Sequence, residues 1–466
     1  MEKIEPENTA RMVVDACSDC DVCRFLMDRD CLMFPELYRL YDQEMQTGKK
    51  ITSNELRQLI DRCNFCALCP CPNIRADIIK AKTEFIARDG LKFRVRTLED
   101  VERVGKLCGV YPQLTNILFQ NKLTGQLLKS ATGIHHERQI PIFPKENFPQ
   151  WAQKHNLNTQ PKKQPNRKIA YFAGCTANYL FPDVPMAVVQ VLKHNGFEVY
   201  YPEQKCCGMP SLLEGDQKLT MKFARFNLEH LAEAVDNGYD IVCSCPTCGF
   251  MLRRILLEGA YYSNEYQNSV GADKDYLKIP TGKPTGNPKD RQFELIKKSM
   301  YAKILKDEGY FSTIAPRIRI KVAENTFDLG EYLMGLQRAG ELKANFGEVS
   351  GRMVYYPPCH LREQNIDRPY QELLNLLPGI NLDPVNGNLY CCGMAGIMGF
   401  KRDFHETSVR LGNRLMTKIK ELKPEKLVTD CLSCRLQFNQ LLPYKVSHPI
   451  EILNQAYSNA KGRRTH

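Results

Sequence analysis

The sequence predicts an α/β chain, in which a helical, cysteine-rich N-terminal domain precedes two homologous domains with small parallel sheets flanked by helices. Three observations carry this. The tetrad Cys391-Cys392-Gly393-Met394 has a twin, Cys206-Cys207-Gly208-Met209. Each tetrad lies between a lone upstream cysteine and a downstream C-x-x-C: Cys175 with Cys245/Cys248, and Cys359 with Cys431/Cys434. The two sets keep register, since 184 positions separate Cys175 from Cys359, 185 separate Cys206 from Cys391, and 186 separate Cys248 from Cys434. Five cysteines repeated with so little drift mark a duplicated unit.

Taken in order, the chain divides into residues 1–105, a helical segment and linker at 106–165, a first repeat at 166–260, a connector at 261–345, and a second repeat at 346–466. A length of 466 residues suffices for two to four domains with their own cores. Pro35 to Asp61 reads as helical, anchored by Leu37, Leu40, Leu56, Leu59 and Ile60, and Ile78 to Ile86 continues as a helix. The lone Cys108 reads as a buried small hydrophobe. Residues 101–135 read as mildly amphipathic helix, and Pro141 to Pro165 as an exposed linker rich in Pro, Lys, Gln and Asn. His135 and His136, just ahead of it, read as solvated surface.

In the first repeat, a strand from Lys168 to Ala173 runs into Gly174-Cys175. Helix Val184–His194, strand Phe197–Tyr201, helix Asp216–Val235 and strand Asp240–Val242 follow, the last leading into Cys243-x-Cys245-x2-Cys248. The connector reads as loop from Tyr261 to Pro288, then helix over Phe293–Leu305 and Asp328–Leu336. The second repeat restates the first: strand Met353–Tyr356, helix Pro369–Leu377, strand Ile380–Leu382, helix Asp403–Leu422 and strand Lys426–Thr429. Cysteines thus follow strand ends, where open α/β sheets place their sites. Gly393, Gly396 and Gly399 form G-x2-G-x2-G, which is not the dinucleotide fingerprint; their expected role is to let backbone approach a bulky cofactor. His360, beside Cys359, either donates to a cofactor sulfur or caps local backbone.

At the N-terminus, Cys17-x2-Cys20-x2-Cys23 trails to Cys31, and Cys63-x2-Cys66-x2-Cys69 is followed by Pro70-Cys71-Pro72. Two such triplets resemble the two-cluster bacterial ferredoxin pattern. That resemblance implies one [4Fe–4S] cubane on Cys17, Cys20, Cys23 and Cys71, and another on Cys63, Cys66, Cys69 and Cys31. The sequence departs from it in the seven residues between Cys23 and Cys31, the absence of Pro after Cys31, and the single residue between Cys69 and Cys71. Zinc is the alternative, but it ordinarily takes paired C-x-x-C motifs rather than triplets.

Five thiolates per repeat exceed the four ligands of a tetrahedral zinc. The doubled pattern resembles the CCG domains of heterodisulfide reductase iron–sulfur subunits. With the ferredoxin-type motifs ahead, the layout is similar to the iron–sulfur subunits of anaerobic glycerol-3-phosphate dehydrogenase and glycolate oxidase. The resemblance implies a noncubane [4Fe–4S] centre on Cys175, Cys206, Cys207, Cys245 and Cys248, and another on Cys359, Cys391, Cys392, Cys431 and Cys434. The two would face each other at the domain interface, with Cys206, Cys207, Cys391 and Cys392 at the reacting centre and Gly208, Gly393 and His360 beside the cofactor. It further implies an oxidoreductase subunit of anaerobic metabolism. Its partners would be flavin-containing or other redox subunits, and its substrate a small disulfide or a quinone. A relay without chemistry of its own is the alternative within this class, and a zinc-stabilised interaction protein lies outside it.

The formal charge of +11 would ordinarily suggest nucleic acid or an anionic membrane. Thiolate-bound clusters are net negative, by roughly two units for a four-thiolate cubane, so a basic surface offsetting buried anionic cofactors is preferred and no nucleic-acid partner is expected. No apolar run approaches the ~18 residues of a membrane span. The acidic, polar stretch Met1 to Ala10 lacks the pattern of a signal peptide. Twenty cysteines without an export signal then suit a reducing, cytoplasmic setting, with membrane contact at most peripheral, on the inner face.

Overall fold

Each repeat builds a four-stranded, all-parallel sheet in the computed structural model, which describes residues 5–20, 22–26, 31–65, 69, 71–160, 167–282, 291–301, 305–386 and 391–462. In the first, β1 (Lys168–Phe172) pairs with β2 (Glu198–Tyr200) and β3 (Asp240–Cys243). A hairpin of β4 (Tyr276–Pro280) and β5 (Phe293–Lys297) follows, and β6 (Thr326–Asp328) then joins β3 to complete the sheet in the order β2-β1-β3-β6. The second uses β7 (Gly351–Tyr355), β8 (Ile380–Pro384), β9 (Lys426–Val428) and β10 (Lys445–Ser447) in the order β8-β7-β9-β10. The orders correspond strand for strand.

Two expectations about the connector are corrected here. Residues 261–345 are not simply a bridge between repeats, because β6 supplies the edge strand of the first sheet. Phe293–Leu305 is not one helix. Its first five residues pair antiparallel with β4, from Tyr276 opposite Lys297 to Pro280 opposite Phe293. Pro284, Gly286 and Pro288 of the expected loop, and the run Pro161 to Pro165 of the expected linker, lie outside the described residues.

The period-2 alternation of the central strands fixes how the repeats meet. Ile169 and Tyr171 of β1 face a core shared with Met353 and Tyr355 of β7. Ala170 and Phe172 point the other way, into a layer private to the first repeat, while Val354 and Tyr356 enter one private to the second. Buried on both faces, these strands read as continuous apolar runs, as parallel sheets require. The shared core also takes one face of helix Asp183–His194 and of helix Pro449–Gly462. Tyrosines of the two repeats correspond: the Tyr171 hydroxyl lies 2.7 Å from Ser244 Oγ, and the Tyr355 hydroxyl donates to Asp430 Oδ2 at 3.1 Å.

The N-terminal domain is helical, with a separate core of Ala10, Val13, Val14, Leu37, Leu56, Leu59, Ile60, Ile78 and Phe85. The stretch expected to be helical from Pro35 to Asp61 forms two helices, Phe34–Thr47 and Ser53–Asp61. Gly48 at φ 71° ends the first, and a capping box of Thr52 with Glu55 starts the second. Phe65 and Ile79 pack into the first repeat's layer and dock this domain there.

Candidate iron–sulfur centres

Every cysteine loop of the repeats begins at the carboxyl end of a strand. After β1, Gly174 turns the chain at φ +80° into Cys175. A Cβ on Gly174 would lie 2.7 Å from the Cys248 sulfur, so glycine is what lets the lone-cysteine loop pass the C-x-x-C so closely. Cys245 follows β3 and stands ahead of helix Pro246–Phe250. In the second repeat Cys359 opens a short helix after β7, and Cys431 occupies the N-cap of helix Leu432–Leu441 after β9.

The sulfurs converge. Cys175 Sγ lies 3.3 Å from Cys206 Sγ, and Cys434 Sγ lies 3.0 Å from Cys392 Sγ. Both separations exceed the ~2.05 Å of a disulfide, and every described cysteine is free. In each repeat the second cysteine of the adjacent pair is the favoured thiolate. Hydrogen bonds from Cys206 and Cys248 hold Cys207 far below the usual thiol range, and Cys391 and Cys434 do the same for Cys392. A hydrogen bond from Cys248 lowers Cys245 as well, whereas burial pushes Cys359 up to about 12. A metal would therefore have to displace protons to bind.

One cavity takes both sets. Cys175, Cys207, Cys245 and Cys248 line one side, and Cys359, Cys391, Cys392, Cys431 and Cys434 the other. Cys206 lies behind Cys175, against Tyr179 and Glu102. The remaining walls are mostly apolar, including Leu98, Val104, Phe119, Ile140, Phe143 and Phe400, with Asn64, Thr247 and His360 among the few polar groups and no carboxylate among the described residues. Two groups of five soft sulfur donors, undisulfided and withdrawn from water, fit iron–sulfur clusters and leave a ligand over for zinc.

The N-terminal cysteines also fall into groups. Burial pushes Cys17 up to about 12, helped by Cys23, Cys71, Cys20 and then Cys31. Cys69, also raised by burial, feels Cys63 and then Cys31. Cys66 lies outside the described residues. Cys20 and Cys71 are exposed, whereas Cys63 adjoins the interface with the first repeat: buried Lys82 donates to both the Cys63 and the Leu213 carbonyls at 2.9 Å.

His360 joins three parts of the molecule. Its Nε2–H donates to the Phe65 carbonyl at 3.1 Å, two residues past Cys63, and its Nδ1 lies 2.9 Å from the Thr247 hydroxyl, inside the first repeat's C-x-x-C. Burial keeps the ring neutral, so with one nitrogen donating and the other accepting neither is left for a sulfur. Of the two readings open for His360, the geometry takes the backbone one, as a brace between loops.

The glycines also behave differently from expectation. Gly393 has φ +86°, and a Cβ there would lie 2.1 Å from the Ser408 carbonyl oxygen. Its lack of a side chain admits helix His405–Glu421 rather than a cofactor, whereas Gly208 has no contact nearer than 3.4 Å. His135 is buried, with its ring stacked on His405 at 4.2 Å, and only His136 is solvated as expected. Cys108 is half-buried on the cavity wall. Sequence reasoning passed over Glu102, Arg138 and Lys82, three charged groups buried beside cysteines; each sits in an ordinary polar context in the sequence, which gives no signal.

This arrangement defines a class: a protein with two facing cysteine-rich sites between duplicated α/β domains. Residues 169–253 and 353–439 each match the family described as the CCG cysteine-rich domain, so the chain carries that domain twice. The chain is similar to a subunit of the anaerobic glycerol-3-phosphate dehydrogenase of Escherichia coli (strain K12), at 26% identity over 77% of this chain and 76% of that one. It is also similar to a subunit of the fumarate reductase (CoM/CoB) of Methanothermobacter marburgensis, at 26% identity over 64% of this chain and 48% of that one. Lactate utilization protein A of an Exiguobacterium species is 24% identical over 63% of this chain and 99% of its own length. On the family match and these relatives, the chain is an iron–sulfur electron-transfer subunit of the dehydrogenase and reductase kind. No helix among the described residues is long and apolar enough to cross a membrane.

Proposed function

We propose that the chain passes electrons from two N-terminal [4Fe–4S] cubanes to paired noncubane [4Fe–4S] centres in the CCG domains, which reduce a disulfide-like substrate. The observation that carries this reading is the single cavity lined by four cysteines of the first set and all five of the second, with Cys206 directly behind Cys175. When bound, the clusters supply one-electron steps, two of which with two protons convert a disulfide into two thiols. The chain's own residues do the rest. Exposed Cys20 and Cys71 mark where a flavin-containing or other redox subunit approaches. Phe65, His360 and Lys82 hold the inner N-terminal group against the repeats, and the apolar walls exclude water from the reacting space.

The test replaces Cys391 and Cys392 by Ala and follows disulfide cleavage with an artificial electron donor. Turnover should fall by at least ~100-fold, while reduction of the N-terminal clusters persists; undiminished turnover would remove the chemistry from this centre.

A specific observation supports the second reading, a relay to a quinone at the inner face of a membrane. Helices Val101–Cys108, Pro112–Gln120 and Lys122–Thr132 wall the cavity with Val104 and Phe119, yet expose Leu107, Val110, Tyr111, Leu114, Ile117, Leu123 and Leu127 on the outside. Between residues 103 and 136 every charged side chain is Arg or Lys. An apolar exposed face on a segment whose charges are cationic suits an anionic bilayer surface, from which a lipophilic acceptor is drawn.

A further inference from the structure

Arg138 is fully buried, yet no carboxylate among the described residues pairs with it. Its Nη1 donates to Gln437 Oε1 at 2.6 Å and its Nη2 to Met394 Sδ at 3.4 Å, while the guanidinium lies 4.6 Å from the centre of the Phe400 ring. Its Nε has no hydrogen-bond partner. Burial draws its pKa down to about 10, and the one charge opposing that fall is the Cys392 thiolate. The guanidinium still carries its charge at neutral pH, and an ion taken out of water without a counter-ion is strongly unfavourable.

The residue is held there by backbone. Ile134 bridges to Lys401, the His135 N–H donates to the Phe400 carbonyl at 3.0 Å, and the Arg402 N–H donates to the Gly133 carbonyl at 2.9 Å. Gln437 passes the contact on. Its Nε2 donates to Ser408 Oγ at 3.3 Å, and that hydroxyl donates to the Gly393 carbonyl at 2.6 Å, inside the cysteine tetrad. Beside the first repeat's adjacent pair lies a carboxylate instead: Glu102 Oε2 accepts the backbone N–H of Cys206 at 3.1 Å, with Lys106 at 2.6 Å and Lys205 at 3.3 Å on its other oxygen.

We infer that Arg138 is the fixed counter-cation of the Cys391/Cys392 centre and makes the paired centres unequal, because the cations nearest the other, Lys106 and Lys205, are partly exposed and paired with Glu102, so that the second repeat's centre is the easier to reduce. The inference rests on reading the ten thiolates as two iron–sulfur centres. A reducing electron adds negative charge, which a buried, unpaired cation in a low-dielectric site stabilises more than solvent-screened lysines already paired with a carboxylate. Electrons then collect on the second repeat's side of the cavity. Arg138 acts through the centre and is a positioning residue.

The test is an anaerobic redox titration of the full chain followed by electron paramagnetic resonance, with iron counted in parallel. R138Q should lower the higher of the two CCG-centre potentials by roughly 59 mV or more, the one-electron equivalent of a tenfold change. R138K, which keeps the charge, should stay close to wild type. Q437E supplies a carboxylate to Arg138 and should lower the same potential with the guanidinium in place, so it decides the matter if R138Q fails to assemble. Wild-type potentials in Q437E at full iron content would overturn the inference, as would equal shifts in R138K and R138Q. Absence of iron from the second repeat of the wild-type chain would sink the functional reading itself, and the metal count identifies that case before any potential is measured.

Discussion

Gly393 shows how tightly one residue can be specified. Its backbone is left-handed, and the carbonyl of Ser408 occupies the space a Cβ would need. Gly393→Ala should therefore cost on the order of 3 kcal/mol in strain and overpacking, read as a fall in thermal midpoint with loss of iron from the second repeat only. Glu99 makes a different demand. It is fully buried, and that burial, helped by Asp216 and Glu214, pushes its pKa up to about 9 from an ordinary value of 4.5. The folded chain holds a proton there that the unfolded chain releases, so this residue's contribution to stability is intact below about pH 4.5 and erodes as pH rises towards about 9. Glu99→Gln should match wild type in thermal midpoint at pH 5 and exceed it at pH 8, by on the order of 3 kcal/mol near pH 7. Equal midpoints at both values would show that the carboxyl is solvated.

At the scale of elements, much was legible in the sequence. Short apolar runs ending at cysteines became β1, β3, β7 and β9, because a strand buried on both faces carries no polar alternation to obscure it. The Phe293–Leu305 segment was misread because Phe293, Ile296 and Met300 recur at helical spacing, whereas pairing with β4 decides the conformation of the first five residues. β6 was missed for its shortness, three residues whose only strand signal is the sheet edge awaiting them. The helices over residues 101–132 were expected to be mildly amphipathic. They instead form a cap with one apolar side on the cavity and another exposed. Replacing Leu114, Ile117 and Leu123 by Glu should abolish co-sedimentation with anionic phospholipid vesicles while leaving iron content unchanged. Retained binding would place any membrane contact elsewhere.

For the whole molecule, the duplicated cysteine set was readable because register in sequence reflects register in space: equivalent strands carry equivalent ligands to one cavity. What the sequence could not convey was inequality between the copies. Arg138 and Glu102 come from the segment before the repeats, and their burial beside Met394 and Cys206 depends on long-range packing that no local pattern encodes. The junction at His360 is similarly tertiary, since Phe65, Thr247 and Cys359 are far apart in the chain. His360→Ala should slow electron passage from the N-terminal clusters to the CCG centres in rapid-mixing experiments, without changing the iron content.

The central claim, that the two five-cysteine sets are iron–sulfur centres fed by an N-terminal pair, is tested most directly by counting iron and acid-labile sulfide in anaerobically purified chain. Four full clusters give about sixteen irons per chain with matching sulfide, falling by about four when Cys391 and Cys392 are both replaced by Ala. A colourless protein holding zinc in their place would contradict it.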